Sequence, residues 1–213
     1  MNNATCYACD QPATTKEHTP PYSFFPEGQR LNLITVPSCE AHNNANSKDV
    51  EYARNVITTM FGTNDVGQQH FADKALRSFD RSPKLLNMTF ADIRPVTLHG
   101  QTVGAFTMQT DRIEAVMNAC VTALHFRDTN ERIPNWEVIL PNLSFQGDTT
   151  EAQAAGWSGF LSMFGQVQYN VKPTDSPDVF QYAMAQILGG WIYNLCFYKA
   201  FTVFAFAPSV SPE

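Results

Sequence analysis

Two short cysteine motifs constrain the beginning of this chain more than any other feature. Cys6 and Cys9 form a Cys-x-x-Cys pair, and Cys39 and His42 form a Cys-x-x-His pair that follows after 29 intervening residues. Structural zinc takes four thiolate or imidazole ligands in a tetrahedron, and pairs with this spacing turn both side chains toward one point. The sequence therefore predicts a Cys₃His structural zinc site. The alternative is that the cysteines are small buried residues and His42 lies on the surface.

The other cysteines argue against a disulfide framework. The chain has five cysteines, and Cys120 and Cys196 lie in apolar stretches. An odd count, with no signal-peptide pattern at the first residues, is typical of an intracellular protein. The most apolar stretch, residues 191–208, contains Asn194 and Lys199, so it predicts two buried strands with a turn near Lys199 rather than a membrane helix. We expect a cytoplasmic protein without a membrane-spanning segment.

Composition excludes two broad classes of protein. Hydrophobic residues make up 44% of the 213 residues and charged residues only 16%, which is not the composition of a disordered chain. The formal net charge of -6 excludes a strongly basic nucleic-acid binder at the level of the whole chain. Any phosphate binding must therefore come from a local site or from a metal ion.

The chain divides by composition into a short first part and a longer second part. Residues 1–62 hold the Cys/His motifs but few large aliphatic side chains, so we expect this part to need a metal ion to fold. Residues 63–213 have the size and pattern of an α+β domain, with a regulatory, substrate-binding or oligomerisation role. The predicted fold class is thus α+β, with a small zinc-clamped unit followed by a larger α+β domain.

Periodicity predicts the individual helices and strands. A helix is predicted from just after its N-cap Ser47 to Gly62, and another from 111 to 126, opened by a capping pattern of Asp111 and Glu114. Further helices are predicted near 68–79 and 177–188. Strands are predicted within 84–109, with a turn at His99 to Gln101, and at 136–140, 167–171, 191–197 and 202–207.

A candidate catalytic group lies between the two cysteine motifs. Glu17 and His18 precede a Pro-Pro pair, and Asn43 directly follows His42. A histidine beside a divalent metal is a suitable general base for activating water, and carboxylate and Asn oxygens are suitable Mg²⁺ ligands. Adjacent residues of a strand point to opposite faces, so a bend or a metal ion would have to unite Glu17 and His18. The alternative is an exposed turn before Pro20.

These motifs together resemble the HNH endonucleases of the ββα-metal superfamily. The resemblance covers about residues 4–60 and rests on Cys-x-x-Cys, Glu-His-x-Pro-Pro, Leu-Ile-Thr-Val-Pro and Cys-x-x-His-Asn. It implies a β-hairpin and a helix around a catalytic Mg²⁺ or Mn²⁺, clamped by the structural zinc. By the resemblance, His18 is the general base, Glu17 is the acidic metal ligand, and Asn43 is the second metal ligand. Asn44 and Asn46 are alternatives to Asn43.

Three positions depart from the family pattern. Glu17 stands where Asp is commoner, and His42 replaces a fourth cysteine. The middle Asn of the motif, which orients the histidine in the family, has Asn32 as its candidate, but Asn32 lies two residues too far from Cys39. The position in strict register is Ile34.

The predicted function is that of a metal-dependent endonuclease that hydrolyses phosphodiester bonds in DNA, with RNA as the weaker alternative substrate. A different class of function is a catalytically inactive, zinc-clamped interaction module. The first sixty residues carry four basic and six acidic side chains, so we expect weak DNA binding that needs a protein partner or a homodimer. Four later basic residues could add phosphate contacts or form a solvated helix face: Lys74, Arg77, Arg81 and Lys84.

Overall fold

The protein is a mixed α/β structure, as predicted. The computed structural model describes residues 4–98, 100–141, 158–159, 162–187 and 189–208. A β-hairpin and two helices come first: β1 (Thr15–His18), β2 (Thr35–Ser38), α1 (Glu40–Asn44) and α2 (Ser47–Thr58). The strands of the hairpin are antiparallel, with Glu17 opposite Val36 and His18 opposite Thr35.

A helical region, a second hairpin and a long helix follow. The helices are α3 (Asp65–His70), a π-helical turn at Phe71–Ala75, α4 (Leu76–Arg81) and α5 (Pro83–Thr89). The hairpin consists of β3 (Ala91–Leu98) and β4 (Gln101–Thr107), and the long helix is α6 (Thr110–Thr129). The last strands are β5 (Glu137–Ile139), β6 (Asn170–Lys172), β7 (Phe180–Ile187), β8 (Gly190–Phe197) and β9 (Phe201–Pro208).

The last five strands form one antiparallel sheet in the order β5-β9-β8-β7-β6. Phe180, Tyr182 and Met184 alternate along β7 and are all buried, which is the period of a half-buried strand. Helix α6 packs against α2, β5 and β9 and contributes a continuous apolar stripe. The stripe consists of Ile113, Val116, Met117, Cys120, Val121 and Leu124.

The largest hydrophobic cluster draws residues from both sides of the predicted boundary at residue 62. Phe24, Tyr52 and Val56, all fully buried, belong to the same cluster as the apolar stripe of α6 and the inner residues of β7 to β9. These contacts fix the hairpin and α2 against the rest of the molecule. The division into residues 1–62 and 63–213 stays a prediction.

The two helices predicted beside the site are present, but their starts differ from prediction. Helix α2 begins at Ser47 itself, after Asn46, and ends at Thr58, four residues before Gly62. Helix α6 begins at Thr110, and the Asp111–Glu114 capping pattern is not formed. Instead, the hydroxyl of Tyr52 accepts a hydrogen bond from the amide of Gln109 at 2.9 Å. A tertiary contact therefore replaces the predicted local cap.

The predicted helix over 177–188 is wrong, because residues 180–187 form the strand β7. Residues 180–187 pair with β8 along their full length. Ala183, Ala185 and the Gln residues have little strand preference, but sheet pairing and the burial of alternate side chains override it. The predicted strand region 84–109 is also partly wrong, since its first residues lie in α5.

The apolar stretch near the end forms two strands, as predicted. Strands β8 and β9 are joined at Tyr198 and Lys199, both of which have positive φ angles. Helices in the described ranges include none with both the length and the apolar character needed to cross a membrane. Gly100 forms the predicted turn between β3 and β4 with a φ of 77°. His99 of that turn lies outside the described residues.

Candidate metal centre and the adjoining hairpin

The structure brings the four predicted zinc ligands together. Their ligand atoms all lie within 4.8 Å of one another. The Nδ1 atom of His42 lies 3.6 Å from the sulfur of Cys6, 3.6 Å from that of Cys9 and 3.2 Å from that of Cys39. The sulfurs of Cys9 and Cys39 are 4.0 Å apart. A tetrahedral zinc ion implies about 3.8 Å between sulfurs and about 3.6 Å from sulfur to nitrogen, so the cluster could hold such an ion.

Backbone hydrogen bonds hold each ligand pair on a tight turn. The amide of Cys6 donates to the carbonyl of Gln11 at 2.9 Å, which folds the first pair back on itself. The amide of Tyr7 donates to the carbonyl of Pro37 at 2.8 Å, which ties this turn to β2. Cys39 directly precedes α1 and His42 lies within it, so the strand-to-helix junction presents the second pair.

The environment of Cys6 favours the thiolate that a metal requires. Its side chain is fully buried, and the amide of Ala8 donates a hydrogen bond to its sulfur at 3.4 Å. Burial raises the pKa of Cys6, but hydrogen bonds from the amides of Ala8 and Cys39 outweigh it, so the pKa lies below its ordinary value. A lowered thiol pKa makes metal binding possible at neutral pH.

Arg132 anchors the first ligand turn to the second part of the chain. Its Nε donates to the carbonyl of Cys6 at 3.1 Å, and its Nη1 lies 2.8 Å from the carboxylate of Asp10. Its Nη2 donates to the hydroxyl of Thr5, and its guanidinium lies over the ring of Phe126. No local sequence pattern marks Arg132 as part of this site, because 122 residues lie between it and Cys9 in the chain.

Glu17 lies beside the metal cluster and is half-buried. Its carboxylate accepts hydrogen bonds from the hydroxyl of Tyr7 and, at 3.4 Å, from the hydroxyl of Ser38. Burial raises the pKa of Glu17, and these two hydrogen bonds only partly offset it. Burial and the neighbouring carboxylate also raise the pKa of Tyr7. A bound cation would favour the ionised form of Glu17.

His18, the next residue of β1, is also half-buried. Its ring lies against the ring of Tyr22, with 5.3 Å between the ring centroids. Burial lowers the pKa of His18, so the imidazole is neutral at neutral pH. A neutral imidazole has a free ring nitrogen that can accept a proton.

Glu17 and His18 border one small cavity together with Asn46. The cavity lies between β1, the start of α2 and α6, and its volume is about 20 Å³. This is room for about one water molecule. Asn43 and Asn44 are exposed on α1 and do not line the cavity. The structure thus brings Asn46, one of the alternatives to Asn43, close to Glu17 and His18.

Asn32 is directed toward a different part of the molecule. It is exposed, with a φ of 46°, and its side-chain amide donates to the carboxylate of Asp175 at 2.7 Å. Ile34 is the position in strict register with the HNH pattern. Its carbonyl accepts a hydrogen bond from the amide of Thr19 at 3.0 Å. The contacts found for Asn32 therefore tie the hairpin to the segment before β7.

The charged residues near the hairpin have distinct environments. Arg54 is buried in α2, where its guanidinium donates to Asn55 and Ser78. Asp49, in the first turn of α2, forms an ion pair with Arg112 at 2.6 Å. A carboxylate at this position stabilises the N-terminus of the helix, so Asp49 is a helix-stabilising residue rather than a metal ligand. Of the four later basic residues, Lys74 lies 4.0 Å from Glu27, and the other three are exposed.

A second, larger cavity borders the metal cluster at His42. Its volume is about 610 Å³, and its lining includes Tyr7, His42 and Asn46. Asp111 and Glu114 are the charged residues of this lining, which contains neither Lys nor Arg. The cavity therefore presents negative charge and is unsuited to a polyanion.

Comparisons with known proteins give no relative of this chain. No family model matches it, and neither the curated proteins nor the solved structures contain a match. The function must therefore be argued from the site itself.

Proposed function

We propose that this protein is a metal-dependent endonuclease of the HNH type that hydrolyses phosphodiester bonds in DNA. The observation that carries the proposal is the position of Glu17 and His18. Both lie on a β-hairpin whose end is joined to a Cys₃His cluster, and both border one cavity with Asn46. The proposal follows from this combination of a clamp, a base and oxygen donors.

Each residue has a separate task in the proposed reaction. His18, neutral at neutral pH, accepts a proton from the attacking water. Glu17 and Asn46 are oxygen donors of the type that would hold Mg²⁺ or Mn²⁺. When bound, such an ion stabilises negative charge at the phosphate. The Cys₃His cluster keeps the hairpin in place and takes no part in the chemistry.

Substrate binding is expected to need help from a second molecule. Arg54 is buried and does not add to the few exposed cations of the first sixty residues. We therefore expect a homodimer or a protein partner to supply part of the phosphate contacts.

A second candidate function is an inactive, zinc-clamped interaction module. The observation that favours it is the environment of Glu17, whose carboxylate is hydrogen-bonded to Tyr7 and Ser38 beside a cavity of only about 20 Å³. In that case Glu17 would stabilise the fold and bind no catalytic ion.

Plasmid nicking with and without Mg²⁺ or Mn²⁺ distinguishes the two functions. We expect wild-type protein to nick DNA only with the added ion, and His18→Ala to lose nicking by about a hundredfold or more. The same variant should keep its zinc content and its circular dichroism spectrum. If wild-type protein with intact zinc never nicks DNA or RNA, the interaction module is the better account.

Paired alanine variants test which asparagine serves the site. We expect Asn46→Ala to lower Mg²⁺-dependent nicking and to raise the Mg²⁺ concentration needed for half-maximal rate, because Asn46 borders the cavity. Asn43→Ala is the matched control, since Asn43 is exposed on α1. Loss of activity in Asn43→Ala alone would show that the residue after His42 is the ligand instead.

A further inference from the structure

Arg30, in the segment that connects β1 and β2, lies over an aromatic ring that also contacts His18. Its guanidinium lies over the ring of Tyr22, with 4.3 Å from Cζ to the ring centroid. The same ring contacts the imidazole of His18 at 5.3 Å between centroids. Tyr22 therefore connects a fixed positive charge to the residue proposed as general base.

The hydrogen bonds of Arg30 fix its orientation without neutralising it. Its Nε donates to the carbonyl of Phe25 at 2.8 Å, and its Nη1 donates to the hydroxyl of Tyr22 at 3.2 Å. Within the ranges the structure describes, no carboxylate lies within ion-pair distance of Arg30. A guanidinium has five N–H donors, so at least three remain for an anion.

The position of Arg30 suits a substrate phosphate near His18. Because both groups contact the ring of Tyr22, the guanidinium carbon and the imidazole centroid are at most about 10 Å apart. This corresponds to about three nucleotides of one strand, at about 3.4 Å per nucleotide along the helix axis. The larger cavity beside the cluster is an unfavourable place for the phosphates, because its charged lining residues are Asp111 and Glu114. Arg30 therefore supplies a positive charge near His18 that attracts a nucleic-acid strand, whereas the larger cavity would repel it.

We infer that Arg30 is a phosphate-binding residue that holds the nucleic-acid backbone next to His18, and that Tyr22 positions it. The inference takes its substrate from the proposed function. Arginine is suited to this role because its planar fork can bind two phosphate oxygens, and stacking on Tyr22 limits the side-chain entropy lost on binding. The residue carries no motif signal, and only the fold places it beside His18.

Binding of a fluorescein-labelled DNA duplex, followed by anisotropy at several NaCl concentrations, tests the inference. The assay uses zinc-loaded full-length protein without Mg²⁺ or Mn²⁺, so that the duplex stays intact. We expect Arg30→Ala to weaken binding about tenfold and to reduce the slope of log K against log salt by about one. Arg30→Lys should retain the slope with intermediate affinity, because it keeps the charge but loses the fork.

Arg94→Ala is the matched control, since Arg94 is an exposed arginine on β3, a different element. We expect it to bind like the wild type. The inference is overturned if Arg30→Ala binds like the wild type, if Arg94→Ala is weakened equally, or if the wild type does not bind at low salt. Parallel nicking assays separate the two proposals. If Arg30→Ala weakens binding but the wild type never nicks DNA, the nuclease function is rejected and the role of Arg30 in binding stands. If nicking depends on His18 but Arg30→Ala binds like the wild type, only the role of Arg30 is rejected.

Discussion

Tyr7 couples the metal cluster to the hairpin through a single side chain. It lies between the ligand Cys6 and the cavity-lining Glu17, and its hydroxyl donates to the Glu17 carboxylate. Its ring also contacts the ring of His42 at 6.2 Å. A half-buried carboxylate depends on such donors, because partial burial without them disfavours its charge. Tyr7 therefore affects both the ionisation of Glu17 and the packing of the clamp.

Replacing Tyr7 by Phe should destabilise the protein by about 1 kcal/mol at pH 7, because the half-buried carboxylate of Glu17 loses a hydrogen-bond donor. Urea unfolding of the zinc-loaded protein measures this change. Tyr169→Phe is a matched control, since the hydroxyl of Tyr169 is buried without a hydrogen-bond partner among the described residues. An equal loss in both variants would mean that the hydroxyl of Tyr7 has no special role.

The turn that carries Cys6 and Cys9 illustrates how an element can depend on a metal ion. It contains no helix or sheet of its own beyond one bridge between Thr5 and Pro12. Its hydrogen bonds to the rest of the protein include those of Tyr7 and Arg132, and its buried residues pack in a small cluster with Val36 and Ala123. Such a short segment gains little from apolar burial, so the metal ligands must supply much of its stability.

Removing one ligand should release the metal ion and loosen this turn. We expect Cys39→Ala to lose its zinc, measured by elemental analysis, and to melt at a lower temperature than the wild type. Cys120→Ala is the control, because Cys120 is equally buried but packs on the apolar stripe of α6. It should keep one zinc per chain. Full zinc content in Cys39→Ala would contradict the assignment of the ligands.

The elements also show what the sequence could and could not predict. Spacing alone was sufficient to predict the cluster of Cys6, Cys9, Cys39 and His42. In each pair, a short local turn determines how the two side chains converge. The strand β7 could not be predicted, because its extended conformation depends on pairing with β8. Local residue preferences do not encode such a contact between two segments. Arg30 and Arg132 were missed for the same reason: their roles arise from tertiary neighbours.

At the scale of the whole molecule, a buried histidine links stability to pH. His125 of α6 is fully buried, its Nδ1 lies 3.2 Å from the hydroxyl of Tyr193, and its ring contacts Trp136 and Trp191. Burial lowers its pKa, an effect that the carboxylates of Glu131 and Asp128 only partly oppose. The unfolded chain therefore binds a proton at His125 more readily than the folded protein does.

This difference predicts that stability is fully present above the ordinary histidine pKa of 6.5 and falls as the pH drops below it. With an ordinary pKa of 6.5 in the unfolded chain, His125 can contribute at most about 0.7 kcal/mol between pH 7 and pH 6, and we expect His125→Gln to reduce the loss by up to that amount. Urea unfolding at both pH values measures it. The two proteins differ only at residue 125, so identical losses would exclude a contribution from His125.

The shared hydrophobic cluster has a practical consequence for the preparation of residues 1–62 as a separate fragment. A fragment that ends near residue 62 would expose Phe24, Tyr52 and Val56, which α6 and the large sheet now cover. Such a fragment should aggregate even when saturated with zinc, because the ion organises the ligand turn but hides none of these side chains. A transplantable version would need polar replacements on that face of α2.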